Sequence, residues 1–290
     1  MKKLKLTISI LIIFLSTLVF SSLSFFVYFQ IKKNIKNRII SDKYNIKYIS
    51  FEEKDDTLDV NYLAEILELS LDNKRNIYSI SESALEEKLL KSPFIKNAKI
   101  KKHLPNNLFV EYELRKPVAF IYDIKNCAVD EDGYIFPFLS FYKEKNLPSI
   151  YLNCNEFKSF EKLDNKKLYD ALDIIAKLNK TGFFDLIKNT LIDISRIDHK
   201  SFGKREIILT INEELRISKN DCEYCYAFPI ILRLGINNFY SQISNYFSLR
   251  EKMLYDYKKQ FLKMTSLPSD MKFSPKTVDL RISKLAFIDQ

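Results

Sequence analysis

The residues of this 290-residue chain best suited to chemistry are its four cysteines and two histidines. Cys222 and Cys225 have the Cys-x-x-Cys spacing of zinc sites and thiol redox centres. A structural zinc site commonly takes four ligands from two such pairs, but Cys127 and Cys154 stand singly. A redox centre needs a helix N-terminus beneath its first thiol, which the surrounding sequence does not predict. We therefore interpret the pair as structural, with disulfide, metal and redox roles as the alternatives.

The other polar candidates also fit structural roles. His103 and His199 lie among polar neighbours, so no metal site or nucleophile–histidine pair is predicted. The acidic turn at residues 130–133 lacks the ~12-residue ligand spacing of an EF-hand and is better interpreted as a hairpin turn. The pairs Glu52-Glu53 and Glu86-Glu87 lie in segments of mixed charge, where solvated faces explain them better than acid–base catalysis. The sequence predicts no catalytic residue, no cofactor and no enzyme activity.

The positive charge of the chain is concentrated near its N-terminus. Residues 1–47 hold nine Lys or Arg and one Asp, a net charge of +8, out of +9 for the whole chain. The other 243 residues carry 37 basic and 36 acidic side chains, a net charge of +1. Nucleic-acid binding requires a basic face that releases counterions. We therefore predict no nucleic-acid partner.

A long apolar segment separates these basic residues. Residues 6–31 are 26 consecutive positions without a charge, and a transmembrane helix needs about 20. A cleaved signal peptide is the alternative, with Ser22-Leu23-Ser24 as a weak cleavage site, but the apolar run continues through Phe29. The charged flanks leave the orientation of the helix open. The positive-inside rule would keep the C-terminal side in the cytoplasm, whereas long domains cross the membrane largely regardless of charge.

Residues 44–116 have the hydrophobic spacing of a compact βααββ unit. Ser83 and Glu86 have the spacing of a capping box at the start of the second helix, and Pro93 disfavours a helical residue before it. The predicted elements are a strand at 44–51, helices at 55–69 and about 83–92, and strands at 94–102 and 108–114.

From Val118 onward the pattern changes to short strands with interrupting helices. The predicted elements are strands at 118–122, 126–129 and 134–136, a helix at 166–178, strands at 206–211 and 214–218, a helix at 239–261 and a final strand at 277–287. The fold class is therefore α+β, with an N-terminal transmembrane helix, a βααββ domain and a β-rich domain with flanking helices.

Six short motifs follow in order along the chain. They are LEEKLLKSPFIKNAKI at 85–100, LPNNLFV at 104–110, LRKPVAF at 114–120, VDEDGYIF at 129–136, LPSI at 147–150 and VDLR at 278–281. The first two resemble the Pro-containing helix-to-strand run and the hairpin of POTRA domains. The other four are similar to further motifs of the bacterial division protein family FtsQ/DivIB.

This resemblance implies a domain organisation and a location. Residues 1–43 would form a short cytoplasmic N-terminus, the transmembrane helix and a juxtamembrane linker, followed by a POTRA domain at 44–117 and an FtsQ-type β domain at 118–290. The protein would span the cytoplasmic (inner) membrane once as a type II protein at the septum. It would recruit and regulate septal peptidoglycan synthesis proteins, with FtsB/DivIC-like and FtsL-like bitopic coiled-coil proteins as partners and no small-molecule substrate.

The resemblance also implies a binding site, because the final strand of this family presents an open edge to which the partner adds a strand. Unpaired N–H and C=O groups on such an edge provide affinity, and alternate side chains provide specificity. The alternative is a strand that is paired on both sides and only completes the sheet. The corresponding residues here are Val278, Leu280, Arg281, Ile282, Ser283, Lys284 and Leu285.

Two other functions remain as alternatives at this point. A POTRA-containing envelope assembly or secretion factor would have a cleaved signal peptide and a C-terminal barrel of alternating strands, whereas residues 166–290 contain two helical patterns. A membrane-tethered enzyme would need a pocket of convergent polar groups, which the sequence does not reveal.

Overall fold

A computed structural model describes residues 2–52, 58–70, 72, 74–138, 142, 146–154, 157, 160–219, 222–264 and 273–289. Only the backbone is described for residues 2–13, 219 and 222. The chain separates into two compact units, Met1–Leu114 and Arg115–Gln290.

The first unit begins with a single long helix, α1 (Lys2–Ile40). Its segment Phe14–Ile40 has a mean hydropathy of 1.6 with none of the segment buried, and is long and apolar enough to cross a membrane. The helix is therefore compatible with a single-pass membrane protein. Phe14 and Phe29, at 68% and 58% exposed, illustrate how fully its apolar surface faces outward.

The rest of the first unit confirms the predicted βααββ order. It contains β1 (Tyr48–Phe51), α2 (Val60–Ile66), α3 (Glu82–Leu90), β2 (Ile95–His103) and β3 (Asn107–Leu114). The sheet order is β1-β3-β2, with β1 parallel and β2 antiparallel to β3. The predicted helix start at Asp55 lies outside the described residues, and α2 begins after Asp59, whose carboxylate accepts from the Asn61 N–H at 2.8 Å.

A small apolar core holds this unit together. The core side chains that α2, α3 and the strands contribute are at most 5% exposed. Burying each of them contributes about 1.5–3 kcal/mol relative to exposure. The core residues include Leu63, Leu67, Leu85, Leu89, Ile95, Ile100, Leu108 and Val110.

The second unit is built on a nine-stranded sheet of order β12-β11-β10-β9-β8-β7-β4-β5-β6. Its strands are β4 (Ala119–Ile121), β5 (Cys127–Val129), β6 (Ile135–Pro137), β7 (Ser149–Tyr151), β8 (Lys188–Asp193), β9 (Ile207–Lys219), β10 (Cys222–Leu234), β11 (Lys276–Asp279) and β12 (Phe287–Ile288). Helices α4 (Lys166–Lys180), α5 (Phe183–Leu186) and α6 (Phe239–Lys263) contribute buried residues to the same core.

The central hairpin of this sheet differs from its prediction. The two short strands predicted at 206–211 and 214–218 form one continuous strand, β9. Its partner β10, which the sequence analysis did not predict, pairs with β9 from Cys222↔Lys219 to Leu234↔Ile207. A proline within a strand pattern argues against a strand, and Pro229 lies in the middle of β10.

The predicted final strand at 277–287 is also wrong. Strand β11 ends at Asp279, where the Leu280 N–H donates to the Arg233 carbonyl at 2.9 Å. The chain then turns, with the Leu285 N–H donating to the Ile282 carbonyl at 3.2 Å and Lys284 at a φ of 64°. Strand β12 returns antiparallel to β11. A left-handed residue reverses the chain, so the apolar alternation does not continue as one strand.

Candidate partner-binding edge

Strand β12 lies at the end of the nine-stranded sheet. The preceding strand β11 is paired on both sides, parallel with β10 and antiparallel with β12. In the β12 register Val278 faces Ile288 and Asp279 faces Phe287. Over the described ranges, no strand pairs with the outer side of β12.

The hydrogen bonds of β12 show which of its groups face outward. The Asp289 N–H donates to the Thr277 carbonyl at 3.0 Å. Hydrogen-bonded and non-hydrogen-bonded pairs alternate along an antiparallel ladder. The N–H and C=O of Ile288 therefore point away from β11. These are the groups that an added strand would use.

The side chains around this edge are apolar and exposed. Phe287 and Ile288 are 58% and 39% exposed, and Ile282 and Leu285, in and just after the turn, are each 54% exposed. Aromatic and aliphatic side chains clustered at an edge provide the pockets and contacts that make strand addition specific. Phe287 and Ile288 were not among the candidate residues singled out from the sequence, because a single strand was predicted across the turn.

The seven residues singled out from the sequence divide between core, turn and ion network. Val278 and Leu280 are 0% and 1% exposed and belong to the core. Ile282, Ser283 and Lys284 lie in the exposed turn, followed by Leu285. Only the exposed members of this group are available to a partner.

Arg281 is held inside its own unit. Its Nη2 lies 2.6 Å from Asp279 Oδ2, its Nε donates to Asp279 Oδ1 at 2.9 Å, and its Nη1 donates to the Gly203 carbonyl at 3.2 Å. Burial opposes ionisation of Asp279, but hydrogen bonds and positive charge from Arg281 outweigh it and lower the pKa of this carboxyl. The same carboxylate raises the pKa of the Arg281 guanidinium. Arg281 therefore positions the turn that follows it.

A buried carboxylate organises the arginines beneath this turn. The side chain of Glu206 is 1% exposed, and its oxygens lie 3.0 Å from Arg196 Nη1 and 2.6 Å from Arg233 Nη2. Arg281 Nη1 lies 3.4 Å from the same carboxylate, and Arg233 also approaches Asp279 at 3.4 Å. The network joins β10, β11 and the segment before β9, so it holds the strands that support β12.

A groove of about 600 Å³ opens beside the end of β11. Its lining includes Phe202, Arg205, Arg281 and Ile282. Phe202 is 82% exposed, and the Arg205 guanidinium lies 4.6 Å from the centre of its ring. Exposed aromatic and arginine side chains are enriched in protein interfaces. The groove therefore extends the apolar edge into a larger surface suited to a polypeptide.

The motif residues around Arg115 have a structural role. Arg115 Nη1 donates to Asp130 Oδ2 at 2.7 Å, and its guanidinium lies 3.5 Å from the centre of the Tyr134 ring. Asp130 Oδ1 accepts from the N–H groups of Asp132 and Tyr134 at 3.0 and 2.8 Å. Because β5 and β6 pair on either side, the predicted hairpin turn is confirmed, and its buried carboxylate stabilises the turn.

The outer edge of β2 in the first unit is covered. The Ile100 N–H donates to Glu86 Oε1 and the Lys102 N–H donates to Glu82 Oε1, each at 2.9 Å. The predicted capping box of Ser83 and Glu86 is therefore wrong: α3 begins after Ser81 without a side-chain cap, and Glu86 instead binds the neighbouring strand. An added strand would have to displace both carboxylates, which argues against the role of strand acceptor at this edge.

The thiols and His103 show no shared site. Cys127 is buried, and burial raises the pKa of its thiol, whereas Cys225 is exposed on β10. The side chain of Cys222 lies outside the described residues, so the structural interpretation of its pair with Cys225 stays a prediction. The exposed His103 ring stacks on Phe109 with centroids 5.2 Å apart. In the described part of the chain, no three His, Cys, Asp or Glu side chains are grouped to hold a metal ion.

These observations define a POTRA-containing α+β protein with an N-terminal helix compatible with a single membrane span. Residues 44–111 match the family model of the POTRA domain, FtsQ-type. The chain thus carries an FtsQ-type POTRA domain, consistent with a protein of the FtsQ/DivIB family. The FtsQ-type POTRA family is a family of non-enzymatic scaffolds. The match therefore supports a divisome-associated scaffold role in general. The comparison with curated proteins found no match.

Proposed function

We propose that this protein is a membrane-anchored divisome scaffold that holds its partners at the septum by strand addition to the outer edge of β12. The observation that carries the proposal is the outward-facing N–H and C=O of Ile288 within an exposed apolar edge. The FtsQ-type POTRA domain and the apolar helix support it. The scaffold recruits and regulates septal peptidoglycan synthesis proteins.

The partners that suit this edge are FtsB/DivIC-like and FtsL-like bitopic coiled-coil proteins. Strand β12 is short, and each main-chain hydrogen bond contributes a net ~0.5–1.5 kcal/mol. Main-chain pairing over so short an edge is too weak for a stable complex. We infer that the partner also packs apolar side chains on Phe287 and Leu285 and reaches the groove beside Phe202.

The proposed topology is type II, with both folded units outside the cytoplasm. The native Cys225 thiol is exposed and provides a probe. In a variant whose other three cysteines are replaced by serine, a membrane-impermeant thiol reagent should label Cys225 in intact spheroplasts. Labelling only after lysis would contradict the topology, and a mature N-terminus near Ser24 would indicate a cleaved signal peptide instead.

The strand-addition proposal is tested by paired substitutions at one position. Ile288→Pro removes an outward-facing donor, and proline is tolerated on an edge strand. We expect this variant to keep its circular dichroism spectrum and to lose co-purification of the membrane partner. Ile288→Ala retains the N–H and should retain most of the binding.

A third variant separates the edge from the strand beneath it. The Phe287 N–H faces β11 by the same alternation, so Phe287→Pro should detach β12 and alter the spectrum or the melting temperature. A folded Ile288→Pro variant that binds as well as the unmodified protein would rule out strand addition here.

A further inference from the structure

The membrane helix continues without a break into the folded part of the first unit. Beyond the charge-free segment ending at Ile31, α1 extends through nine more residues to Ile40. At about 1.5 Å per residue these residues advance by about 14 Å. The headgroup region on each side of a bilayer is about 5–8 Å thick. The helix therefore ends just outside the headgroups.

A buried asparagine joins the helix end to the POTRA domain. Asn76 is 7% exposed, and its Nδ2 donates to the Arg38 carbonyl at 2.9 Å and to the Ser41 carbonyl at 3.2 Å. Its Oδ1 accepts from the Tyr78 N–H at 2.9 Å. The last carbonyl groups of a helix have no partner within the helix. Asn76 supplies one and fixes the loop before α3 to the end of α1.

Further contacts make this junction a folded structure. Arg38 Nη1 donates to the Tyr78 hydroxyl at 3.3 Å, and the Arg38 guanidinium lies 5.6 Å from the centre of the Tyr78 ring. Tyr78 packs edge-on against Tyr44 with centroids 5.1 Å apart. The Ile77 N–H donates to the Tyr44 carbonyl at 2.9 Å. The segment after α1 and the loop before α3 are therefore bound together.

The end of α1 and the segment after it are strongly basic, whereas the facing loop also holds the exposed acidic residue Asp72. Residues 32–47 contain six Lys or Arg and one acidic residue, Asp42, and Lys74 and Arg75 come from the facing loop. Arg75 forms an ion pair with Glu68 at 3.1 Å. The remaining lysines are exposed, and we call them the basic rim: Lys32, Lys33, Lys36, Lys43, Lys47 and Lys74.

We propose that the junction seats the POTRA domain on the bilayer, where the basic rim binds the headgroups of anionic phospholipids. The proposal rests on the membrane anchoring proposed above. It commits to lipid because Lys32, Lys33 and Lys36 leave the bilayer on the helix at headgroup level. The rest of the rim lies just outside the headgroups, where basic side chains are still attracted to an anionic surface. Each lysine contributes up to about fivefold in the docking equilibrium, and salt weakens the effect.

The test uses the full chain in nanodiscs of phosphatidylcholine alone or mixed with phosphatidylglycerol. Hydrogen–deuterium exchange is followed for the amides of residues 42–48 and 74–79. We expect phosphatidylglycerol to slow their exchange several-fold at low salt and to have no such effect at high salt. The amides of β9 and β10 should exchange equally in both lipids and serve as the internal reference.

Matched charge variants assign the effect to the rim. Lys43→Gln with Lys74→Gln should remove most of the several-fold lipid-dependent protection, because each lysine contributes up to about fivefold to the docking equilibrium. The control variant, Lys91→Gln with Lys99→Gln, removes the same amount of charge elsewhere in the domain. Lys91 lies at the C-terminal end of α3, the end that is farthest from the junction. This control should retain the protection. Asn76→Ala should lower the total protection of the junction amides in both lipids. Exchange in β2 and β3 must show that the domain is still folded.

Two outcomes would overturn the proposal. Protection that is the same in both lipids would show that the junction is purely structural, and equal losses in the two double variants would show an effect of net charge alone. Neither outcome bears on strand addition, which the Ile288 variants measure separately. Failure of the chain to enter nanodiscs would instead contradict the membrane anchoring itself.

Discussion

The buried carboxylate of Glu206 provides the sharpest test of how the proposed binding edge is supported. Replacement by glutamine keeps the shape of the side chain and removes its charge. Three guanidinium groups lie within 3.4 Å of this carboxylate, the closest being that of Arg233 at 2.6 Å. In the variant these cations would face a neutral amide. Asp279 would remain as an anion for Arg233 and Arg281.

The magnitude follows from burial on the two sides of the network. Breaking a fully buried ion pair by removing one partner costs about 3–5 kcal/mol. Here the carboxylate is 1% exposed, but Arg196, Arg233 and Arg281 are 58%, 34% and 25% exposed. Water can rehydrate these cations and reduce the loss. We expect Glu206→Gln to lower the free energy of unfolding by about 2–3 kcal/mol, or the melting temperature by about 4–12 °C.

The measurement is urea unfolding of residues 41–290 followed by far-ultraviolet circular dichroism. Glu214 is the control carboxylate, because it lies on β9, eight residues after Glu206, is 47% exposed and pairs weakly with Arg216 at 3.7 Å. Glu214→Gln should change the free energy of unfolding by less than about 0.5 kcal/mol. Equal effects of the two substitutions would refute the reasoning. A gain in stability in Glu206→Gln would show that desolvation of the buried charge exceeds its attractions.

The remaining predictions address the POTRA core, acid stability and the covered strand edge. Leu89→Ala should lower the free energy of unfolding by ~2–5 kcal/mol, because Leu89 is fully buried. Glu111→Ala removes a solvent-exposed ion pair and should lower it by under about 1 kcal/mol. Thermal melts of residues 40–120 that ranked the two variants in reverse would contradict the core assignment. The lowered pKa of Asp279 means that its stabilisation is complete above its ordinary pKa of 3.8 and is lost as the pH falls through the lower folded value. Urea midpoints of Asp279→Asn should therefore vary less with pH below about 4 than those of the unmodified protein. Replacing Glu82 and Glu86 together by alanine should speed exchange of the two β2 amides that they accept from by about tenfold or more, and unchanged exchange would show that these bonds do not protect the edge.

The POTRA domain could be predicted closely because its elements follow local rules. Leu85 and Leu89 lie one helical turn apart and are both buried, and Leu108 and Val110 alternate with half-buried positions on β3. Pro93 follows the end of α3 as its chemistry requires. Here the period of the apolar residues and the position of the turns determine the same structure.

Tertiary pairing decided the features that the sequence did not reveal. Glu86 has the right spacing for a capping box, but its carboxylate instead accepts a hydrogen bond from the Ile100 N–H of a neighbouring strand. Pro229 argues against a strand when read locally, yet β10 accommodates it within a ladder of thirteen residue pairs. Both outcomes depend on residues distant in sequence, which periodicity does not describe.

The VDLR motif lies beside the proposed binding edge, but its own residues have structural contacts. Asp279 and Arg281 bind each other and the Glu206 network, and Val278 and Leu280 are buried, so all four motif residues support the fold. The main-chain groups proposed to bind a partner come later, at Ile288 beside the exposed Phe287 side chain, where no motif was recognised. A strand edge is read mainly through its backbone, so it places few demands on residue type. What the sequence must specify is the network that holds the turn, and the motif lies there.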